Sequence, residues 1–508
     1  MTSPTPTTDL HRESVLAAAA SAAPVLAAIP PSVRAAALVA AADALDAAVD
    51  ALVEVAQRET GLTEQRLRGE LRRTTVQFRL FADVVVDGSF LDVRLDAADS
   101  AFALGPRPDL RRYLAPVGPV LNFAASNFPF AFSVAGGDTA AALAAGCPVV
   151  VKAHDGHLEL SLMTARIVAD ALVAAGLPEG SLDVIIGREV GVAALQDERI
   201  TAAAFTGSTK GGLHLAAIAA ARPTPIPFFG ELGSVNPVFI TSAAAQERGD
   251  ALAAELVASV GGSAGQLCTK SGFVFVPAGG LGDEVVRQAA ATVPEHRLLY
   301  PGIAQGYLDR RGSILSAPKV QTIVEGVVRE DGDGNAWVTP TFVRTDLEAL
   351  RADRERLLDE AFGPLAILVE YSDADDLPGV VRELFPGNLT GSLHTAAGED
   401  PSGYADLADA LAAHSGRVVF NGWPTGVAVT PAMTHGGPFP ATTGFGGTSV
   451  GTTSITRFLR PVTYQSAPDA VLPAPLRDSN PWGVPQRHAP AGESATWGHA
   501  ATSGRVGA

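Results

Sequence analysis

The stretch that decides the fold runs from residue 117 to residue 152 and reads VGPVLNFAASNFPFAFSVAGGDTAAALAAGCPVVVK. Residues 117–123 and 147–152 are mainly apolar, and the second run is rich in β-branched residues, which predicts two strands. Residues 132–145 between them are mostly small and predict a closely packed helix. A strand, a crossover helix and a second strand are typical of a parallel sheet, and strands without polar alternation indicate a sheet covered on both faces.

The same alternation continues outward from this stretch. Downstream of it, helix and strand patterns follow one another as far as a Pro-rich segment at 222–229, and a second set of strands and helices occupies residues 237–420. Upstream, residues 33–61 carry an apolar stripe of helical period that ends at a glycine. The sequence therefore predicts the α/β fold class, with two strand-and-helix units.

Composition limits the function. The 508 residues carry 54 acidic and 37 basic side chains, for a formal charge of −17 and a pI of about 5.0. An acidic surface repels phosphate backbones and anionic lipids, so nucleic acid and membrane are poor partners. Two cysteines exclude a disulfide framework. We expect a cytoplasmic enzyme without an export signal, because the apolar stretch at 15–29 is Ala-rich and follows acidic residues.

Common cofactor motifs are missing. The chain contains no G-x-G-x-x-G, no G-x-x-x-x-G-K-[ST] and no H-E-x-x-H. Its ten histidines are scattered without metal-ligand spacing. We therefore expect no catalytic metal, and any nucleotide must bind without the usual Gly-rich turn.

Six short polar segments lie at predicted strand and helix ends. They are FAASNFPF (123–130), VVVKAHDGH (149–157), AFTGSTKGG (204–212), FFGELGSVNP (228–237), GGSAGQLCTKSG (261–272) and DEAFGPLA (359–366). Their order and spacing resemble the aldehyde dehydrogenase superfamily over residues 15–480. The AHDGH, ELGSVNP and RPTPIPFF segments and the C-terminal FNGWPTGVAVTPAMTHGGPFPATT are similar to the 2,5-dioxopentanoate (α-ketoglutaric semialdehyde) dehydrogenase branch.

This resemblance implies a domain plan. It places a Rossmann-type NAD(P)-binding domain at 1–93 and 117–233 and a second α/β catalytic domain at 234–456. Two extended segments, 94–116 and 457–479, would form a small oligomerisation β-segment that joins a homodimer or homotetramer. The residues at 480–508 are rich in Pro, Gly, Ala and Ser and predict a flexible tail.

Three residues carry the predicted chemistry. Cys268 follows a small-residue loop that can expose a thiol, whereas Cys147 lies in an apolar strand and is interpreted as a core residue. Glu231 follows two phenylalanines, which predicts that desolvation raises the pKa of its carboxyl. By resemblance, Cys268 is the nucleophile, Glu231 the base that activates the deacylating water, and Asn127 the oxyanion donor. The alternatives are a buried cysteine, a turn glutamate and a turn asparagine.

The resemblance also implies a cofactor site. Lys152 would contact the adenosine ribose, Asp155 would accept from ribose hydroxyls and repel a 2′-phosphate, and Lys210 would pair with that phosphate or neutralise Asp155. These opposed charges leave NAD and NADP both open. The remaining predicted contacts are Phe205, Thr206, Gly207 and Ser208 at the pyrophosphate and Glu360 and Phe362 at the nicotinamide ribose and ring.

The implied reaction is NAD(P)-dependent oxidation of an aldehyde to an acid through a Cys268 thioester, and Glu231 argues against transfer to coenzyme A. 2,5-Dioxopentanoate is the substrate that the branch indicates, with other semialdehydes and aliphatic aldehydes as alternatives. The sequence does not single out the residue that anchors the substrate carboxylate; Arg111, Arg112 and Arg457 are candidates, and surface or interface residues are the favoured interpretation of all three. The rival hypotheses are an inactive structural relative and a cysteine hydrolase, which would need a histidine beside Cys268.

Overall fold

The computed structural model of the protein describes residues 5–332, 334–444 and 446–499. Two large, mainly parallel sheets and two small sheets form its framework. The α-helices are Asp9–Ala28, Pro31–Ala47, Val49–Thr60, Glu64–Asp87, Gly137–Ala145, Leu158–Ala174, Arg188–Gln196, Thr209–Ala220, Ser242–Gly261, Asp283–Ala290, Pro301–Leu315, Leu347–Ala352, Arg354–Leu357, Leu377–Leu384 and Ala405–His414. Among the described residues, none of these helices combines the length and hydropathy that crossing a bilayer requires.

The first large sheet, here the cofactor sheet, has five parallel strands. Their spatial order is Leu182–Ile185, Val149–Lys152, Val120–Phe123, Ala202–Thr206 and Phe228–Glu231. Alternate residues of its strands enter two different cores, one on each face. Helices therefore cover both faces, which explains the continuous apolar runs.

The second large sheet, here the catalytic sheet, has seven strands. Their spatial order is Gln321–Val324, Thr341–Asp346, Leu365–Tyr371, Phe273–Pro277, Val238–Ile240, Asn388–His394 and Ser415–Phe420, with the first strand antiparallel to its neighbour. The chain between two strands of this sheet, Phe273–Pro277 and Thr341–Asp346, forms a separate three-stranded antiparallel sheet. Its order is His296–Arg297, Ala336–Val338 and Val328–Glu330. The α/β class predicted from the sequence is confirmed.

A four-stranded sheet contains the segments outside these two units. Its order is Leu459–Gln465, Leu110–Pro116, Val93–Asp96 and Gln486–Ala489. The last strand lies in the segment for which composition predicts a flexible tail. Trp482 and Val484 pack with Leu91 and Val93 in a small core, and this apolar contact brings the following residues alongside the sheet. Residues 500–508 lie outside the described part of the chain.

Two helix predictions also differ from the structure. The apolar stripe at 33–61 belongs to two helices, because the chain leaves helical geometry at Ala48. The helix predicted to begin at residue 132 begins at Gly137, since residues 124–136 form the irregular connection that carries Asn127. The periodicity of apolar residues identified the buried faces of the helices, but a run of small residues does not mark the position at which a helix begins.

Candidate active site

The predicted site residues meet at the carboxyl edge of the cofactor sheet. Lys152, Thr206 and Glu231 are the last residues of three of its parallel strands, and Asn127 follows a fourth. The strand order reverses at the central strand, Val120–Phe123. The next two strands along the chain lie on one side of it, and the two after those lie on the other side. Crevices at such switch points bind ligands in α/β proteins.

Cys268 lies on a loop that Asn236 holds in place. The Asn236 side chain donates from Nδ2 to the carbonyl oxygens of Cys268 at 2.8 Å and Lys270 at 3.0 Å. Ser263 and Ala264, just before the cysteine, adopt the left-handed conformation with φ of 53°, which is unfavourable for residues with a Cβ. The Cys268 side chain remains partly exposed, whereas Cys147 is fully buried, as the sequence predicts.

A second residue, His435, completes a compact group of reactive side chains. Its Nε2 lies 3.4 Å from Cys268 Sγ and 3.0 Å from Glu231 Oε1. The hydroxyl of Ser449 donates to the other oxygen of Glu231. We call Cys268, His435 and Glu231 the catalytic cluster; their ligating atoms all lie within 4.8 Å of one another. These are also the donor types that bind Zn²⁺.

The sequence analysis did not single out His435. It lies 167 residues from Cys268, in the MTHGGPFP segment that contributed only to the resemblance. The backbone fixes its place, because the His435 N–H donates to Thr448 Oγ1 at 2.8 Å and the Ser449 N–H donates to the His435 carbonyl at 2.8 Å. One loop pair thus positions both partners of Glu231. The structure supplies the histidine that the cysteine hydrolase hypothesis required.

The pKa values of Glu231 and Cys268 in the catalytic cluster are shifted in opposite directions. Burial raises the pKa of the Cys268 thiol well above its usual value, and the charges of Glu231 and Glu360 raise it further. Burial also acts to raise the pKa of Glu231, as the sequence predicts, but the His435 charge and hydrogen bonds from His435 and Ser449 outweigh it and lower the pKa overall. Glu231 is therefore ionised at neutral pH, and the thiol needs a proton acceptor to react.

The predicted oxyanion donors lie beside each other. Asn127 is 7 % exposed and donates from Nδ2 to the Gln266 carbonyl at 3.1 Å, which ties it to the loop of Cys268. The Arg66 guanidinium donates to the Asn127 carbonyl at 2.7 Å and fixes its backbone. Within the described residues, no hydrogen bond uses the Cys268 backbone N–H. That N–H is available to an oxyanion on a carbon bound to Sγ.

At the predicted adenosine end, Lys152 and Asp155 form an ion pair. The Lys152 ammonium donates to Asp155 Oδ1 at 2.8 Å, and Lys152 is 8 % exposed. Lys210 is exposed and forms no ion pair with any described residue. The cation that pairs with Asp155 is therefore Lys152. Arg188, which the sequence analysis did not name, is close enough to help lower the pKa of Asp155. Two cations thus flank one carboxylate.

The predicted pyrophosphate loop begins helix Thr209–Ala220. The Ser208 hydroxyl caps this helix by accepting from the Gly211 N–H, and its exposed N-terminus faces the crevice edge where the strand ends. The Phe205 ring stacks on Phe228 with centroids 6.2 Å apart. A Cβ at Gly207 would lie 2.7 Å from the Phe205 ring, so the close turn requires glycine there.

Glu360 faces the helix start from the loop that precedes strand Leu365–Tyr371. A Cβ added at Gly233 would lie 2.7 Å from Glu360 Oε2, and the Gly233 N–H donates to Thr209 Oγ1 at 3.2 Å. Burial raises the pKa of Glu360 to about 7, although the nearby Lys270 ammonium opposes the shift. Phe362 follows, partly exposed. A helix N-terminus, buried cations and carboxylates along one crevice fit a dinucleotide, whose phosphates and riboses need these donors and acceptors.

Comparison with known proteins shows to which family the chain is similar. A family model described as "Aldehyde dehydrogenase family" matches residues 5–463. The chain is 44 % identical over 462 residues to alpha-ketoglutaric semialdehyde dehydrogenase 2 of Azospirillum brasilense, covering 90 % of this chain and 87 % of the relative. It is 41 % identical over 433 residues to alpha-ketoglutaric semialdehyde dehydrogenase of Acinetobacter baylyi, covering 85 % and 81 %.

Solved structures show the same fold. Succinic semialdehyde dehydrogenase from Streptococcus pyogenes, in complex with NADP⁺ as the cofactor, superposes with a TM-score of 0.75 at 19 % identity, over 91 % of this chain and 96 % of that one. The fold, the six segments in their crevice and the match over most of the length lead to one conclusion. The chain belongs to the aldehyde dehydrogenase family and is an oxidoreductase.

Proposed function

We propose that this enzyme oxidises 2,5-dioxopentanoate to 2-oxoglutarate with NAD or NADP as the oxidant. The observation that carries the proposal is the catalytic cluster, in which a thiol, a proton acceptor and an ionised carboxylate lie at the mouth of a dinucleotide crevice. The substrate rests on the two relatives above, which bear the name of this activity and align over most of their length.

The first half of the reaction forms a bond between sulfur and the aldehyde carbon. In its neutral form, His435 accepts the thiol proton of Cys268 at Nε2, the imidazolium that results pairs with Glu231 Oε1, and the sulfur attacks the carbonyl. Asn127 and the Cys268 N–H stabilise the oxyanion that develops, because both lie beside the sulfur-bearing loop. A nicotinamide cofactor held by Lys152, Asp155, Ser208 and Glu360 would supply the oxidising capacity, because it can accept a hydride, and the substrate carbon would then remain on Cys268 as a thioester.

The second half hydrolyses this thioester. Glu231 is ionised, and its Oε1 lies 3.0 Å from His435 Nε2, on the side of the carboxylate that Ser449 does not occupy. That oxygen can take a proton from water and direct the hydroxide at the thioester carbon. Ser449 holds the other oxygen, so the carboxylate cannot rotate freely.

Lys152, Asp155, Ser208 and Glu360 would hold the cofactor along the crevice. Asp155 favours the free ribose hydroxyls of NAD, whereas Lys152 and Arg188 offer charge to the 2′-phosphate of NADP. The proposal therefore includes both cofactors. Measuring kcat/KM with each, at the same aldehyde concentration, decides the preference.

A cysteine hydrolase is the second candidate, because Sγ and Nε2 are 3.4 Å apart, as in a Cys–His pair. It leaves the Lys152–Asp155 pair and the helix N-terminus at Ser208 without a role. The test mixes enzyme, 2,5-dioxopentanoate and NAD or NADP and follows the absorbance of reduced cofactor. No increase with this or any other aldehyde of a panel, together with hydrolysis of esters or amides, would favour the hydrolase.

We also propose a cytoplasmic homodimer or homotetramer. The outer side of strand Leu459–Gln465 is unpaired in the described chain, so a second copy could extend this sheet. Both cysteines are free thiols, which a reducing compartment preserves. Light scattering after size-exclusion chromatography measures the state; a monomer at micromolar concentration would contradict it.

A further inference from the structure

One guanidinium near the catalytic cluster has a nitrogen without a hydrogen-bond partner among the described residues. It belongs to Arg73 on helix Glu64–Asp87, whose Nη1 has essentially no exposed surface. Within the described chain, Arg73 forms no ion pair, and its Cζ lies 5.3 Å from the centroid of the Phe132 ring. Arg73 as a whole is half-buried, so its guanidinium combines one buried, unpaired nitrogen with an accessible side. A buried donor without a partner is unfavourable, so such a group indicates a ligand.

The Phe132 ring links Arg73 to the catalytic cluster. The Phe132 ring beneath Arg73 lies 6.1 Å from the His435 ring, centroid to centroid. Burial lowers the pKa of Arg73, while the charges of Glu70, Cys268 and Glu231 act against that shift. The guanidinium is thus in the electrostatic neighbourhood of both the nucleophile and the base.

Neighbouring charged groups are already engaged. Arg66 donates to the Asn127 carbonyl and lies 3.7 Å from Glu70 Oε2. Glu70 Oε1 accepts from the Phe130 and Ala131 N–H groups, at 2.8 and 3.0 Å. With one carboxylate between two guanidinium groups, this face of the helix keeps one positive charge in excess, and the geometry assigns it to Arg73.

The other arginines with a claim to this role have structural partners. Arg417 is electrostatically coupled to Cys268, but its guanidinium donates to the Gly426 and Pro424 carbonyls. The arginines named from the sequence are paired as well. Arg111 binds Asp478, Arg112 binds Asp92 and Arg457 binds Asp138, with N–O distances of 2.7, 2.7 and 2.5 Å.

We propose that Arg73 binds the carboxylate at the far end of the substrate and selects aldehydes that carry one. The inference rests on the proposed function and deepens it. A planar guanidinium can bind a carboxylate with two parallel hydrogen bonds, and the Phe132 ring holds its plane. Arg73 is then a specificity residue, since it contacts the substrate away from the aldehyde carbon.

The test compares 2,5-dioxopentanoate with pentanal, an uncharged aldehyde of the same chain length. For Arg73→Met, which keeps a long apolar stem, we expect kcat/KM to fall at least about 100-fold for 2,5-dioxopentanoate, or about 2.7 kcal/mol, and less than about threefold for pentanal. Arg73→Lys keeps the charge and should lie between. Arg72→Met removes an exposed charge one residue away and should match wild type.

The outcomes separate the two proposals. Equal losses of Arg73→Met on both aldehydes, or no loss on either, would overturn the assignment of Arg73 and leave the proposed function standing. A wild-type enzyme that prefers pentanal would overturn the proposed substrate itself. Circular dichroism and binding of NAD or NADP to each variant show whether it has folded, and Arg73→Lys provides a second readout if Arg73→Met has not.

Discussion

Replacing His435 with Asn removes the group that faces the catalytic sulfur while keeping a polar side chain beside Glu231. Desolvation and the charges of Glu231 and Glu360 raise the pKa of the Cys268 thiol well above its usual value, so the thiol is protonated at neutral pH. A proton acceptor 3.4 Å from its sulfur therefore favours the reactive thiolate, and positioned bases contribute about 10²–10⁴-fold. We expect His435→Asn to lower kcat/KM by about 100-fold or more.

Alkylation by iodoacetamide, followed by mass spectrometry, measures the thiol directly. Cys147 is 0 % exposed and should not react, so labelling reports Cys268. In His435→Asn, the rate should rise about tenfold per pH unit over about pH 7–9, because hydroxide must then ionise the thiol. His488→Asn, an exposed histidine in the small sheet, is the matched control. A variant of His435 that labels at the wild-type rate with the same pH profile would refute the reasoning.

Further predictions concern the base, the cofactor, a metal and acid. Glu231→Gln should keep the first burst of reduced cofactor but lower steady turnover about 100-fold, since the thioester persists; stopped-flow absorbance distinguishes this from a variant that loses the burst. Asp155→Ser should raise the NADP/NAD ratio of kcat/KM about tenfold, because a carboxylate no longer opposes the 2′-phosphate; an unchanged ratio would remove Asp155 from the site. Zn²⁺ should inhibit competitively with aldehyde by binding the catalytic cluster, and a chelator should reverse it; inhibition unaffected by His435→Asn would place the ion elsewhere. Burial lowers the pKa of His394 to about 4, whereas a histidine in the unfolded chain has a pKa near 6.5. Between about pH 6.5 and 4 the unfolded chain therefore binds a proton that the folded chain does not, and the free energy of unfolding should fall by up to about 3 kcal/mol. The urea midpoint of His394→Phe should fall less over this range, and an equal fall would contradict the assignment.

Local features of the fold could be predicted because short-range patterns encode them. The strands at 117–123 and 147–152 contain the observed Val120–Phe123 and Val149–Lys152, since a sheet buried on both faces requires apolar residues at successive positions. The structure of residues 480–499 differs from the predicted flexible tail, because Pro- and Gly-rich composition does not reveal that Trp482 and Val484 pack in an apolar core. The predicted rise in the pKa of Glu231 was wrong for a similar reason. His435 and Ser449, which are distant along the chain but contact Glu231 in the fold, lower the pKa by more than desolvation raises it.

By itself, the sequence determined the α/β class and the aldehyde dehydrogenase family, and it nominated Cys268 and Glu231, since each lies within a contiguous motif. Only the tertiary structure decided that His435 faces the thiol and that Arg73, near the catalytic cluster, has a buried nitrogen without a partner among the described residues. Both belong to segments far from Cys268 along the chain. Periodicity and motifs describe neighbours in sequence, whereas reactivity depends on distance, burial and the charges that folding brings together.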